Sequence, residues 1–236
     1  EGTKISGNYC PGLAGVIRMV SDCSMTMNGG SITNNKTASD GGVIWGYGSS
    51  IYNFNGGEMA YNEAVGAGGA IYAGTSSVFN ISGSFEMHDN KAKNSGAIRL
   101  TDYCQFIMTG GSFYNNVGAE DVSVYAYNAP ISMTGGTFAD EMYVWNGNGI
   151  TIGKANITGI IHYDLETNHN TAALASEFNA FRFTVDEGDA NFASFNLKPA
   201  SGYVYTEGDE EKLICLNEGY TTYWDEATSS FRLMAD

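Results

Sequence analysis

The chain has 236 residues and a net charge of −15, from 11 basic and 26 acidic side chains, with 43% hydrophobic but only 16% charged residues. Its 31 glycines, 15 tyrosines and 12 phenylalanines stand beside just 3 prolines. That balance excludes a disordered chain and a collagen, and it leaves no basic surface of the kind that nucleic acid or an anionic membrane requires.

No apolar run approaches the roughly 18 residues needed to cross a bilayer, and no basic-then-apolar leader stands at Glu1. The chain is therefore expected to be an excised mature domain that does not insert into a membrane. Residues 1–160 hold 27 of the 31 glycines, with 7 basic and 12 acidic side chains; residues 161–236 hold 4 basic and 14 acidic ones. This change of character divides the chain into a repeat domain, 1–160, and a second region, 161–236.

A fixed step of 27 residues runs through the first region. Gly15-Val16-Ile17, Gly42-Val43-Ile44, Gly69-Ala70-Ile71 and Gly96-Ala97-Ile98 recur at that period. So do Gly29, Gly56, Gly83 and Gly110, followed by Gly135-Gly136 after 25, and so does a column of Asn35, Asn62, Asp89 and Asn116. Before each second glycine marker, apolar residues alternate: Met25 and Met27, Tyr52 and Phe54, Phe79 and Ile81, Phe106 and Met108, Ile131 and Met133. Alternation of this kind describes a strand with one buried face, and no unit has room for a helix.

Short strands, polar corners and stacking columns predict an all-β right-handed parallel β-helix of about five to six coils. Ile17, Ile44, Ile71 and Ile98 are then an internal aliphatic ladder, and the asparagine column a hydrogen-bonded corner ladder. In the third unit Ser84-Phe85 comes one residue early, as if a glycine were deleted, with register regained at Asp89.

Gly41-Gly42-Val43-Ile44, Gly68-Gly69-Ala70-Ile71 and Phe113-Tyr114-Asn115-Asn116 resemble the paired GGA[ILV] and FxxN motifs of chlamydial polymorphic outer-membrane proteins. They are also similar to β-helix repeats in large surface proteins of gut Gram-positive bacteria. The resemblance covers about residues 15–140. It departs where Ser95-Gly96 keeps one glycine of the pair, where Val122-Ser123-Val124 replaces the motif, and where Glu86 stands for Phe. It implies a surface-exposed or secreted bacterial adhesin-like module, extracellular or on the cell surface, without the autotransporter barrel of the chlamydial proteins.

After Ile161 the repeat stops. Leu174, Phe178 and Phe181 fall at i, i+4 and i+7 behind Asn170 and Thr171, which predicts a short amphipathic helix capping the open end of the rod. Three hairpins are then expected: Phe181–Val185 with Phe192–Leu197, Tyr203–Tyr205 with Leu213–Leu216, and Thr222–Trp224 with Phe231–Leu233. Together they make a small antiparallel appendage.

Candidate chemistry is sparse. Cys23 and Cys104 share a column but lie three coils apart, too far for a disulfide; Cys10 is near enough in sequence to pair with Cys23, and Cys215 has no evident partner. Small reduced residues are the expected role. No zinc spacing is present, and His88, His162 and His169 neighbour no nucleophile motif. The acidic clusters Asp186-Glu187-Asp189 and Glu207-Asp209-Glu210-Glu211 fit solvated hairpin tips better than calcium loops, so no cofactor or metal is called for. Asp22, Asp40, Glu58, Glu63 and Asp102 are isolated acids without a convergent partner, which weighs against the alternative of a polysaccharide lyase or glycosidase.

The candidate binding residues are Arg18, Trp45, Tyr72 and Arg99, each one position after a ladder isoleucine and so expected to face outward. Stacked aromatic rings flanked by arginine suit sugar rings or a protein partner, although such a column also stabilises a sheet face by itself. The expected function is non-catalytic: an adhesin-like module, or a stalk, that binds a host glycan or extracellular protein as a monomeric part of a larger chain.

Overall fold

A computed structural model describes residues 2–118, 122–145, 150–153, 155–163, 181–185, 196–199, 207–208, 213–215 and 217–236. These residues contain strands and no helix, and they wind into a parallel β-solenoid of about five turns. Each of the regular coils contributes one strand to each of three sheets. In the second coil, Ile44–Tyr47 lies in sheet 3, Ile51–Ala60 in sheet 1 and Glu63–Ala67 in sheet 2. The expected period is observed as register: Ile17 pairs with Ile44, Ile44 with Ile71 and Ile71 with Ile98, all parallel.

The core is a set of columns. Ile44, Ile71 and Ile98 have no exposed surface, nor do Tyr52, Phe79 and Phe106 or Phe54, Ile81 and Met108 on sheet 1. The rings stack along the rod axis, Tyr52 on Phe79 at 4.4 Å between centroids. The third unit carries an insertion and not the expected deletion. Ile81 pairs with Phe54 but Ser84 pairs with Gly56, so one extra residue is looped out of Val78–His88. The bulge turns Phe85 into the core, where it meets Phe54 at 4.9 Å, and Met87 takes the place assigned to Phe in the repeat.

Polar residues make the corners. Between sheets 1 and 2 one residue adopts a left-handed conformation, at Asn34, Tyr61, Asp89 and Asn115, and the next side chain turns inward. Those inward residues are Asn35, Asn62, Asn90 and Asn116, so Asn90 and not Asp89 belongs to the ladder; the bulge had displaced the column by one. Each asparagine donates its backbone N–H and its Nδ2 to the Oδ1 of the next. Asn62 reaches Asn90 at 3.0 and 2.9 Å, and Asn90 reaches Asn116 at 3.1 and 2.9 Å. The chain of bonds starts at Asn8 and ends on Asp140, whose Oδ2 accepts Asn116 Nδ2 at 2.7 Å.

Aspartate closes the ladder because the last member needs only to accept. Burial raises the Asp140 carboxyl above the usual carboxylate range, outweighing its hydrogen bonds from Asn116. The folded state thus favours the protonated acid: this contribution to stability is present at low pH and lost as pH rises through the elevated value. Asp140→Asn is expected to melt higher than the parent at pH 7, with the two curves converging on acidification. Thermal unfolding followed across pH checks this, and a variant less stable at pH 7 contradicts it.

Four cysteines are free thiols, and no Cys10–Cys23 bond forms. Two of them have a clear role. Cys23, Ser50, Ser77 and Cys104 occupy one corner column between sheets 3 and 1: Cys23 Sγ turns back on the Ser21 carbonyl at 3.3 Å, while Ser77 Oγ donates to Gly48 O at 2.8 Å and Cys104 Sγ to Ala73 O at 3.8 Å, both in the preceding coil. Cysteine here does the work of serine. Burial holds the Cys104 thiol above its ordinary range, which keeps it a poor nucleophile.

Parallel pairing continues beyond residue 160. Phe181–Val185 pairs with Ile150–Ile152 and with Leu213–Cys215 in sheet 1, and Asn196–Pro199 pairs with Ile160–Tyr163 in sheet 3. The first expected hairpin is therefore not formed; its two strands enter different sheets of the solenoid. The third is formed: Tyr220–Asp225 runs antiparallel to Ser230–Ala235, which joins sheet 3 where Phe231 faces Leu197. Phe231 is fully buried, edge-on to Trp224 at 4.9 Å, so this hairpin covers the end of sheet 3 and reverses its polarity. The helix expected over Asn170–Phe181 loses its last anchor, because Phe181 opens the strand Phe181–Val185; the rest of that stretch, the Tyr203–Tyr205 strand, Asp186-Glu187-Asp189 and Asp209-Glu210-Glu211 lie outside the described residues.

Candidate functional site

Sheet 3 has one face in the core and one in solvent, because successive side chains of a strand alternate. Every outward position that follows a buried ladder residue therefore falls into a single external column. The register places Arg18 against Trp45, Trp45 against Tyr72 and Tyr72 against Arg99. The four residues named from the sequence are thus brought together as neighbours.

The column does not stop at Arg99. It continues through Tyr125, Tyr143 and His162, and Lys198 stands next in register. Sequence reasoning missed these because the step falls from 27 residues to 26, 18 and 19 and then lengthens to 36. The reason is architectural. Among the described residues sheet 2 has four strands, the last at Lys91–Asn94, and a coil that omits that side of the cross-section is shorter. A local signal survives the change of period: Val124-Tyr125-Ala126 and Met142-Tyr143-Val144 both hold an aromatic ring between two buried apolar residues.

The rings lie parallel along the rod. Trp45 and Tyr72 are 6.4 Å apart with 3° between planes; Tyr125 and Tyr143 are 5.3 Å apart and coplanar in orientation; Tyr143 and His162 are 6.4 Å apart at 21°. The Arg18 guanidinium carbon sits 5.0 Å from the Trp45 ring centre, and that of Arg99 sits 3.5 Å from Tyr125. Such contacts hold long side chains in one place, each worth on the order of 1 kcal/mol. Tyr47, half exposed on the adjacent outward row, adds a third ring parallel to Trp45 at 6.1 Å. Beside it the row narrows to Gly74, leaving Tyr72 without a bulky neighbour on that side.

The electrostatics are mixed. Burial first, then the nearby Asp40, raise the Tyr72 phenol, so it stays a neutral hydrogen-bonding group at physiological pH. His162 Nε2 is 2.7 Å from Glu141 Oε2, which orients the ring at the upper end of the column. Two of the acids named from the sequence are engaged elsewhere: Glu63 pairs with Lys36 at 2.7 Å, and Asp40 Oδ1 accepts the Ala67 N–H at 2.7 Å. Among the described residues no three His, Cys, Asp or Glu side chains converge as a metal site.

A second cluster lies at the corner between sheets 1 and 2. His88 stacks on Tyr114 at 4.7 Å, meets the edge of Tyr61 at 5.6 Å, and bonds Asp89 Oδ2 through Nδ1 at 2.8 Å. Tyr114 donates to Glu86 at 3.3 Å. It is a packed corner in which the imidazole and the Tyr114 hydroxyl each engage a carboxylate. Comparison with known protein families, with curated proteins and with solved structures finds no match.

Proposed function

We propose that this chain is a non-catalytic, surface-exposed or secreted bacterial adhesin-like module that binds a host glycan or extracellular protein along the outer column of sheet 3. The observation that carries this reading is the continuous line of exposed and half-exposed rings and guanidiniums, Arg18 to His162, on a rigid parallel sheet. Flat rings at a regular rise present the C–H faces of sugars, or the apolar side of a protein partner, with a surface whose side-chain entropy is already lost. The resemblance of the glycine-pair and FxxN motifs to surface-protein repeats supports the location.

A screen of purified protein against glycan and extracellular-protein arrays tests it. Trp45→Ala and Tyr72→Ala are each expected to weaken the best ligand by about tenfold or more, about 1.4 kcal/mol. Unchanged affinity in both variants removes the column as the site. Turnover of a polysaccharide that disappears on changing one coil carboxylate overturns the non-catalytic reading altogether.

A further inference from the structure

The two arginines of the column lie over aromatic rings. In a chain with 26 acidic and 11 basic side chains, carboxylates are in excess and a basic side chain can pair with one. Lys36 does so with Glu63, and Arg232 with Asp225 at 3.0 Å. Arg18 and Arg99 do not: among the described residues neither makes an ion pair or a side-chain hydrogen bond. Each is laid instead over an aromatic ring one coil further along.

That arrangement has a chemical consequence. A ring face attracts the guanidinium charge but accepts none of its in-plane N–H groups, so the planar fork of donors remains available along its edge. The cation is held over the ring before any ligand arrives. Planar, bidentate donors match carboxylate and sulfate oxygens. Arg18 and Arg99 stand three coil rises apart, roughly 14 Å, with Trp45 and Tyr72 between them.

We propose that the ligand of this column is an acidic glycan, its sugar faces resting on Trp45 and Tyr72 and its carboxylate or sulfate groups taken by the arginine forks. The inference rests on the glycan-binding reading above and narrows it. Complementarity selects the class: these are two of the chain's four arginines, placed outward on a molecule of net charge −15 whose general field repels polyanions.

The test uses matched charged and uncharged polymers: polygalacturonate against its fully methyl-esterified form, and dextran sulfate against dextran, with poly-glutamate as an acidic peptide. Binding is measured by titration calorimetry on the whole chain. The expected result is a preference of at least about tenfold for one acidic glycan over its neutral partner, which also decides between carboxylate and sulfate. Arg18→Gln and Arg99→Gln should each reduce that preference, Arg99→Lys should restore it only in part, and Trp45→Ala should weaken the acidic and neutral forms alike. Circular dichroism melts confirm that the variants fold. Equal binding of charged and uncharged polymers, or a preference unaltered by both glutamine variants, overturns the acidic-glycan inference while leaving the glycan reading in place. Binding to poly-glutamate alone overturns it in favour of a protein ligand, and binding to none of the polymers defeats both readings.

Discussion

Gly69→Ala is expected to be among the most damaging single substitutions in this protein. The cost arises from backbone proximity. A methyl group built on Gly69 would overlap the carbonyl oxygen of Gly96 in the next coil, and it would also press on the backbone of Lys91. The same overlap recurs at Gly15 and Gly42, each against the carbonyl of the glycine one coil further along. Backbone carbonyls in a parallel stack cannot rotate away without breaking ladder bonds, here Gly69 N–H to Ser95 and Ala70 N–H to Ala97. A loss of more than about 3 kcal/mol follows, beyond the usual range for overpacking at a side chain. Chemical denaturation measures it, and a loss under about 1 kcal/mol shows that the stack yields more readily than this packing implies.

The first glycine of each pair answers a different demand. Gly68 has φ of 66°, and the equivalent Gly41 has 72°, a conformation that costs most side chains energy. Ala14 and Ser95 fill that position in the first and fourth coils at φ of 63° and 53°, so it tolerates small side chains at some cost, whereas the second position admits only glycine in all four. The irregular Ser95-Gly96 pair noted in the sequence follows this rule.

Asn62→Ala is expected to cost about 3 kcal/mol for an unrelated reason. Asn62 Oδ1 accepts both the backbone N–H and Nδ2 of Asn35 at 3.0 Å, and its own Nδ2 donates to Ile32 O at 2.9 Å and to Asn90 at 2.9 Å. Truncation leaves the buried Asn35 N–H with no acceptor in a core that excludes water, and each such orphan costs about 1–3 kcal/mol. Asn62→Asp separates polarity from packing. The carboxylate still accepts from Asn35 but cannot donate, and it faces Asn90 Oδ1, so this variant should be the worse of the two at pH 7 and should recover on acidification. Denaturation at two pH values reads both effects; equal stability of the aspartate variant at each pH contradicts the donor role.

The repeat was legible in the chain because its corners are written in residue types with few substitutes. Gly42 and Gly69 mark a close backbone approach, Asn35 and Asn62 an inward amide, and Ile44 and Ile71 a buried stripe; each demand is local, so one coil reveals it and four coils repeat it. The named column Arg18, Trp45, Tyr72 and Arg99 followed from alternation about the isoleucine. Asn90 was misread as Asp89, and a bulge as a deletion, because an extra residue in a strand shifts the count without changing composition. Pairing partners alone show where it was absorbed.

Past Asn116 the chain ceased to be readable by a fixed period. Alternating residues at Phe181–Val185 and Asn196–Leu197 specify strands equally well whether they pair with each other or with Ile150–Ile152 and Ile160–Tyr163. Strand formation is decided by neighbours in sequence, whereas the choice of partner depends on which open edge is presented. Here that edge belongs to the solenoid, and the strands pair with it in parallel and not with each other. For the same reason composition and spacing alone determined the class of fold, the 27-residue coil and the outward face of the Arg18–Arg99 column. Only the tertiary structure decided how far that column runs, that Tyr125, Tyr143 and His162 belong to it, and that its arginines lie on rings and not on carboxylates. Those are contacts between coils whose separation along the chain varies, and no fixed spacing encodes them.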